Sequence, residues 1–298
     1  MQSTVRNTFD NLSDNGRSAI YMLIAMFTFV LNDTMTKLAS SEASVFQVIF
    51  IRGSLLTVVL ALLALRRGIT INPLAYRDRF LWLRVMAEVI GSVIFLTALF
   101  NMPLANITAI AQVTPLALTL VLALFFGEKV GWRRYTAILL GFVGVLIIVR
   151  PGTAGFNQYS LLALVAMFGI ITRDLATQRV AREIPSFYVV YLTAFCATLF
   201  NGAITLFTGW TALPTQTYLY LFAAAAFVSV GYLFSVMTMR LGEASYTAVF
   251  RYSVLIWAMI LSVVVFGEVP DGPTIIGAII IAGAGIYALR RGRVRRVA

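Results

Sequence analysis

Long apolar runs, broken at intervals by charged residues and by Pro or Gly, make up most of the chain. A helix needs about 20 mainly apolar residues to cross the hydrocarbon of a bilayer. Measured against that length, the pattern predicts ten membrane spans: Ser18–Leu38, Phe46–Leu65, Phe80–Phe100, Leu104–Phe126, Trp132–Val149, Tyr159–Thr177, Phe187–Thr208, Tyr218–Met239, Ala244–Phe266 and Thr274–Leu289. The connections are short, so neighbouring spans run antiparallel and leave no room for a soluble domain. The expected fold class is an all-α membrane protein of ten transmembrane helices.

A second pattern runs inside the first. Ala25-Met26-Phe27, Asp33 and Thr36 recur in register, at one fixed offset, as Ala166-Met167-Phe168, Asp174 and Thr177. An ionisable residue inside an apolar segment is costly, so two at matching positions point to duplication rather than chance. Phe46 and Phe187 open spans two and seven at the same offset, and Phe126-Gly127-Glu128 returns one position short of it as Phe266-Gly267-Glu268. Gly144 and Arg150 match Gly285 and Arg291. Residues 18–150 and 159–291 thus read as two five-span halves joined by 151–158, with short segments 1–17 and 292–298 outside them. Five is odd, so the second half enters the membrane from the other side. Two inverted five-helix repeats around a central cavity are the architecture of carriers that alternate access to a midplane site.

Composition narrows the function. The 298 residues are 60% hydrophobic and 12% charged, with a mean hydropathy of +0.90; a soluble domain carries roughly 25% charged residues. There is no His, and Cys196 is the single Cys, which removes disulfides, His/Cys metal sites and a histidine relay. No metal and no cofactor are expected. Neither a phosphate-binding Gly-rich loop nor a nucleophile-elbow or His-Glu-x-x-His motif occurs, so neither ATP drive nor enzyme chemistry is signalled. Transport would run on a solute or ion gradient. The alternative is an intramembrane enzyme, for which the carboxylates are scattered rather than gathered at one depth.

The net charge of +11 gains meaning from its placement. With an even number of spans both termini share a side, and that side receives nearly all the loop Arg and Lys, including Arg66, Arg67, Arg133, Arg134 and the tail Arg290–Arg296. The opposite side has only Arg150. The positive-inside rule then puts both termini in the cytoplasm of a multi-pass protein, most simply of a bacterial inner membrane. The tail reads as an anchor beside anionic lipid rather than a nucleic-acid arm. The polar stretch Met1–Arg17 has no signal-peptide apolar region, so the first span is expected to be retained. Expected partners are a small-molecule substrate and membrane lipid; a monomer suffices and a dimer stays open.

Asn32 and Lys37 in span one, Arg52 in span two, Pro115 followed by Phe126-Gly127-Glu128, Gly141 and Gly144 of span five, Gly267-Glu268, and Gly283/Gly285 resemble the drug/metabolite transporter superfamily. In particular, they look like its ten-span exporters built from two EamA-type halves. The resemblance covers about 18–291. It implies a secondary carrier of small metabolites, often an amino-acid exporter, with a cavity lined mainly by spans one, three, four, six, eight and nine. Proton-coupled multidrug or phosphosugar/nucleotide-sugar carriers are the alternatives within it. The second half departs from the first: Thr193 aligns with Arg52, Leu255 with Pro115 and Gln178 with Lys37, so a fully symmetric site is not expected.

Intramembrane polar side chains usually face a bundle interior or a water-filled path. In span four, Thr108, Gln112, Pro115 and Thr119 form one helical stripe. Pro115 cannot donate, leaving the Ala111 carbonyl for a substrate or for a neighbour. In span nine, Tyr246 and Arg251 stand out, and the Arg251 guanidinium matches a carboxylate; it could equally snorkel or pair with Glu243. Span eight offers Ser229 and Tyr232. Span three places Arg84, Glu88 and Ser92 on one face, with Arg84 and Glu88 expected to neutralise each other or Glu88 to act as a protonatable group. Asn32, Thr28 and Thr36 share a stripe with which Arg173, Gly169 and Thr177 align, both expected to face the pathway. Asp33 beside Lys37, and Asp174 beside Arg173 or Gln178, are candidate gate or coupling elements. Gly141/Gly144 and Gly283/Gly285 suit close helix packing, inside the chain or in a dimer.

Overall fold

The computed structural model describes residues 13–66, 77–127, 130–153, 156–181, 183–241 and 244–294. Among them every regular element is helical, and ten segments are long and apolar enough to cross a membrane. Span one is Asp14–Leu38, span two Val45–Arg66, span three Arg79–Asn101, span five Trp132–Val149, span six Tyr159–Arg179, span seven Ser186–Thr208, span eight Thr215–Leu241 and span ten Gly272–Val294. Span four is two helices, Leu104–Ala111 and Thr114–Phe126. Span nine is in three pieces, a single α-helical turn Ala244–Thr247, a 3-10 segment Ala248–Tyr252 and a helix Ser253–Phe266. The apolar exteriors suit lipid: Phe207 is 92% exposed and Phe125 76%, an exposure that water would penalise and hydrocarbon does not. The chain is an integral, multi-pass membrane protein.

Local chemistry fixes the helix ends. Asp78 caps span three by accepting from the amides of Phe80 at 2.8 Å and Leu81 at 3.0 Å, and also takes Ala181 N–H at 2.8 Å. Burial pushes the Asp78 carboxyl up, but these three amides outweigh it and hold it below its ordinary value. Spans four and nine both end on a left-handed glycine, Gly127 and Gly267, each at φ 67°. After span nine the Gly267 and Glu268 amides return to the Val263 and Ser262 carbonyls, the two-bond ending that a C′ glycine permits.

The chain forms two compact units that draw on both sequence halves. The first comprises Met1–Asn32, Pro103–Phe156 and Phe227–Ala298, and so holds spans four, five, nine and ten with parts of spans one and eight. Spans five and ten pack through glycines: a Cβ on Gly277 would come within 2.6 Å of the Gly144 carbonyl oxygen. Gly141 lies against Leu116 and Ala284, and Leu116, Ala137, Ile138, Ala284 and Ala288 are buried together. In lipid no hydrophobic force presses helices together, so such close van der Waals fit holds them. The glycines read as candidate dimer contacts are therefore occupied within the chain at Gly141 and Gly144. Gly285 is filled as well, by the Tyr252 hydroxyl.

The second unit comprises Asp33–Met102 and Asn157–Ala226. Spans three and six cross backbone to backbone, where a Cβ on Gly169 would be 3.3 Å from the Gly91 Cα. Spans two and seven meet at Gly53 against Thr198 and Gly202 against Phe50. Thr57 Oγ1 and Thr198 Oγ1 share a hydrogen bond at 3.3 Å, and their separation along the chain is the offset of the repeat. Leu81, Val85, Val89, Tyr188 and Leu192 form the buried apolar cluster that binds spans three and seven.

Candidate functional site

Within the first unit, spans four and nine are interrupted at matching places. Span four breaks at Gln112–Val113, and at the corresponding place of the second half Tyr252 ends the 3-10 segment of span nine. Pro115 sits at the start of the second helix of span four. The Ala111 carbonyl that it was expected to leave open is taken by Thr114 Oγ1 at 2.7 Å, so a neighbour re-satisfies it. The Gln112 amide is shared between the Thr108 and Ala109 carbonyls, at 3.1 and 3.2 Å. The Gln112 side chain is half-buried, Thr108 is buried, and Thr119 Oγ1 turns back to the Pro115 carbonyl at 2.9 Å.

Span nine places Arg251 in the last turn of its 3-10 segment, exposed, and Tyr246 ahead of it, 40% exposed with its ring 5.5 Å from that of Phe250. Glu243 lies outside the described residues. Beyond the break, Trp257 sets its ring 4.8 Å from that of Phe27 in span one. In span eight Tyr232 is 51% exposed and meets Phe29 edge-on at 5.4 Å. Gly231 leaves room for Phe29 and Thr28. Asn32 is buried at 5%, and Ser229 is half-buried.

One end of this unit is tied by polar groups, of which the sequence showed only Glu268 and Arg150, as repeat markers. The Glu268 carboxylate accepts from Leu104 N–H and from Ser262 Oγ, both at 3.2 Å, which joins the end of span nine to the positive start of span four. Thr274 Oγ1 donates to Asn106 Oδ1 at 3.1 Å, and Arg150 pairs with Asp271. The Arg150 hydrogen bond beside Asp271 holds its carboxyl down to about 2. Glu128, the first-half counterpart of Glu268, lies outside the described residues.

The second unit gathers the intramembrane charges. Arg173 in span six donates to Glu88 in span three at 3.1 Å and to Asp174 at 2.9 and 3.0 Å. Arg84 donates to Thr177 Oγ1 at 2.9 Å and to Thr193 Oγ1 of span seven. Glu88 thus pairs with Arg173 across helices and not with Arg84 along its own helix. The Gly169/Arg173/Thr177 stripe, expected to face a pathway, is the packing face of span six on span three. Ser92 Oγ returns to the Val89 carbonyl at 3.1 Å. At the far end of span one, the buried Lys37 ammonium donates to the Met102 carbonyl at 2.6 Å, a cation at the C-terminal end of span three. Arg52 NH1 reaches Thr36 Oγ1 at 3.4 Å, Thr36 is fully buried, and Asp33 is half-buried.

The structure therefore brings Gln112, Pro115, Tyr246, Arg251, Ser229 and Tyr232 into one unit. Glu88, Ser92, Arg173, Asp174, Asp33 and Thr36 fall in the other. Sequence reasoning missed Ser253 of span nine, because a Ser inside an apolar run gives no signal of its own.

Comparison with known proteins gives a consistent picture. Residues 16–150 and 158–290 each match the model of the EamA-like transporter family. An S-adenosylmethionine uptake transporter of Rickettsia prowazekii is 24% identical over 271 residues, 90% of this chain and 91% of that protein. A riboflavin transporter of Vibrio cholerae is 28% identical over 270 residues, covering 89% and 90%. A pseudopaline exporter of Pseudomonas aeruginosa is 25% identical over 273 residues, covering 90% and 94%. One solved protein crystal structure superposes with a TM-score of 0.61 at 17% identity, over 93% of this chain and 98% of that one, and so shares the fold.

Proposed function

The chain belongs to the EamA-like transporter family, a family of secondary transporters, and from that premise we propose that it exports small organic metabolites, amino acids foremost, by alternating access. The observation that carries the reading is the pair of interruptions in spans four and nine, at corresponding places of the two halves and within one compact unit. Interrupted helices at corresponding places in two repeats are where carriers of this kind hold their solute, because unwound backbone and helix ends supply polar groups at membrane depth. Gln112 and Arg251 flank the interruptions, and Arg251 is exposed where a carboxylate could reach its guanidinium. Tyr232, Tyr246, Ser229 and Asn32 complete the proposed solute surface.

The two halves are proposed to be inverted repeats. The nearly constant offset between the halves and the Thr57–Thr198 hydrogen bond between equivalent positions support this. The distribution of Arg and Lys supports a reading in which both termini are cytoplasmic, and a bacterial inner membrane is the proposed location. Glu88 and Asp174, which share the Arg173 guanidinium, are the proposed coupling carboxylates, with Asp33 as their counterpart in span one. The relatives move chemically different solutes, so amino-acid export is a matter for direct test.

Reconstitution into liposomes provides that test. Gln112→Ala and Arg251→Ala are expected to slow exchange of an amino-acid substrate while leaving the amount of folded protein unchanged. Wild-type rates in both variants would remove the proposed site. Failure of every solute in a panel of amino acids, drugs and sugar phosphates to cross faster than in empty vesicles would remove the carrier reading.

A further inference from the structure

Two cation–π contacts of the second unit share one ring. Arg79, the first residue of span three, sets its guanidinium carbon 4.8 Å from the centroid of the Phe80 ring. Arg179, the last residue of span six, sets its own 5.7 Å from the same centroid. Both arginines are exposed. Asp78 fixes the backbone under them: its Oδ1 takes the Phe80 and Leu81 amides and its Oδ2 takes the Ala181 amide. One carboxylate thus ties the start of span three to the residues just after span six, and so holds two guanidiniums from different spans near each other.

Like charges so placed repel each other, and the surrounding sequence does not cancel them. Segments 66–79 and 177–183 carry Arg66, Arg67, Arg77, Arg79, Arg179 and Arg182 against two carboxylates, Asp78 and Glu183. A phosphate between the guanidiniums turns the repulsion into attraction, because each presents a planar fork of N–H donors that matches phosphate oxygens. Depth and surface say which phosphate. Both arginines are terminal residues of spans, and Trp82, within the first turn of span three, is exposed as an aromatic of the membrane–water interface is. Leu83, Met86 and Ile90 follow Arg79 at i+4, i+7 and i+11, on one face of span three, and all three are exposed. A charged head at the helix end above an apolar stripe has the layout of a phospholipid, and a soluble phosphate would use only the head. We infer that Arg79 and Arg179 bind the phosphodiester of an anionic phospholipid, with one of its acyl chains along Leu83, Met86 and Ile90. Basic pockets between membrane helices hold acidic headgroups in this way. The site is separate from the proposed solute surface, which lies in the other unit.

The test titrates the purified full chain in a neutral detergent with phosphatidylglycerol, phosphatidylcholine or glycerol 3-phosphate and reads the unfolding temperature at each concentration, since a ligand of the folded state raises it. Phosphatidylglycerol is expected to act at a concentration roughly ten-fold below phosphatidylcholine, whose choline cation offsets its phosphate. Arg79→Gln and Arg179→Gln are each expected to weaken the phosphatidylglycerol effect roughly ten-fold, the order of one charge-assisted hydrogen bond. Phe80→Leu keeps every charge but removes the ring on which both guanidiniums rest; it is expected to weaken the effect several-fold, and it supplies an independent reading if an arginine variant fails to fold. The double variant Arg133→Gln/Arg134→Gln removes charge from span five instead and is expected to leave the effect unchanged. Three results overturn the inference. The first is an equal phosphatidylglycerol effect in the wild type and in the folded Arg79 and Arg179 variants. The second is an equal loss in Arg133→Gln/Arg134→Gln, which makes the effect one of net charge. The third is a full effect from glycerol 3-phosphate, which makes the site one for small anions. The carrier reading stands under all three.

Discussion

The contact between spans three and six supports a prediction whose size can be worked from the structure. Beyond the glycine crossing at Gly91 and Gly169, Arg173 NH1 meets Glu88 Oε2 at 3.1 Å, and Arg84 Nε meets Thr177 Oγ1 at 2.9 Å. The Arg173 and Glu88 side chains are 28% and 30% exposed, between the surface and buried regimes. Exposed pairs contribute about 0–1 kcal/mol, whereas removing one partner of a fully buried pair costs about 3–5 kcal/mol. Asp174 stays on Arg173 at 2.9 Å, so losing Glu88 does not strand the cation. The coupling should therefore be on the order of 1–2 kcal/mol, the lower part of the interval between those regimes. A double-mutant cycle of Glu88→Gln, Arg173→Gln and their combination, followed by unfolding in detergent, isolates that energy. Additive effects within about 0.3–0.5 kcal/mol, the scatter of independent sites, would refute the assignment. The same Glu88→Gln variant should lose any response of transport to an imposed pH difference, and an unchanged response would remove Glu88 from coupling.

Three further outcomes are expected. Gly277→Ala would press a methyl to 2.6 Å from the Gly144 carbonyl oxygen; backbone cannot yield as a side chain does, so thermal unfolding should show a loss of about 1–3 kcal/mol, as overpacking typically costs. Asp271, held down to about 2 against an ordinary value of 3.8, contributes stability that is fully present above its unfolded value and lost as pH falls from about 4 towards 2. Unfolding midpoints of Asp271→Asn should accordingly lie below wild type at pH 6 and converge with it near pH 2. Glu268→Gln keeps an oxygen acceptor but removes the negative charge beside the start of span four, and should lower stability by roughly 0.3–1 kcal/mol, the usual size of a charge–helix-end interaction.

Much of the fold is written in the chain because lipid imposes a simple demand. A span must be apolar along its length, so Leu104–Phe126 and Trp132–Val149 could be delimited from composition with the same ends that the structure gives. The break in span four was marked by Pro115. The break in span nine was not, since Ala248–Tyr252 holds neither Pro nor Gly and reads as uninterrupted helix. Partners across helices were hidden for a related reason. Helical spacing compares residues three or four apart, so it offered Arg84 to Glu88 and had no means of offering Arg173, 85 positions away. The Glu268–Leu104 contact, over 164 positions, was hidden in the same way. Gly-Glu at 267–268 was visible as a repeated motif, but what its carboxylate grips depends on where the next helix begins.

On the proposed duplication, the hydrogen bond between Thr57 and Thr198 joins equivalent positions of the two halves. In a five-helix ancestor working as two copies, those two hydroxyls would have belonged to one codon, each molecule touching its twin at the same residue. A change there would have struck both sides of the contact at once, leaving only self-compatible side chains tolerable, and threonine, able to donate or accept a hydrogen bond, is such a residue. Fusion of such copies would lift that restriction, because Thr57 could then change without altering its former mirror image.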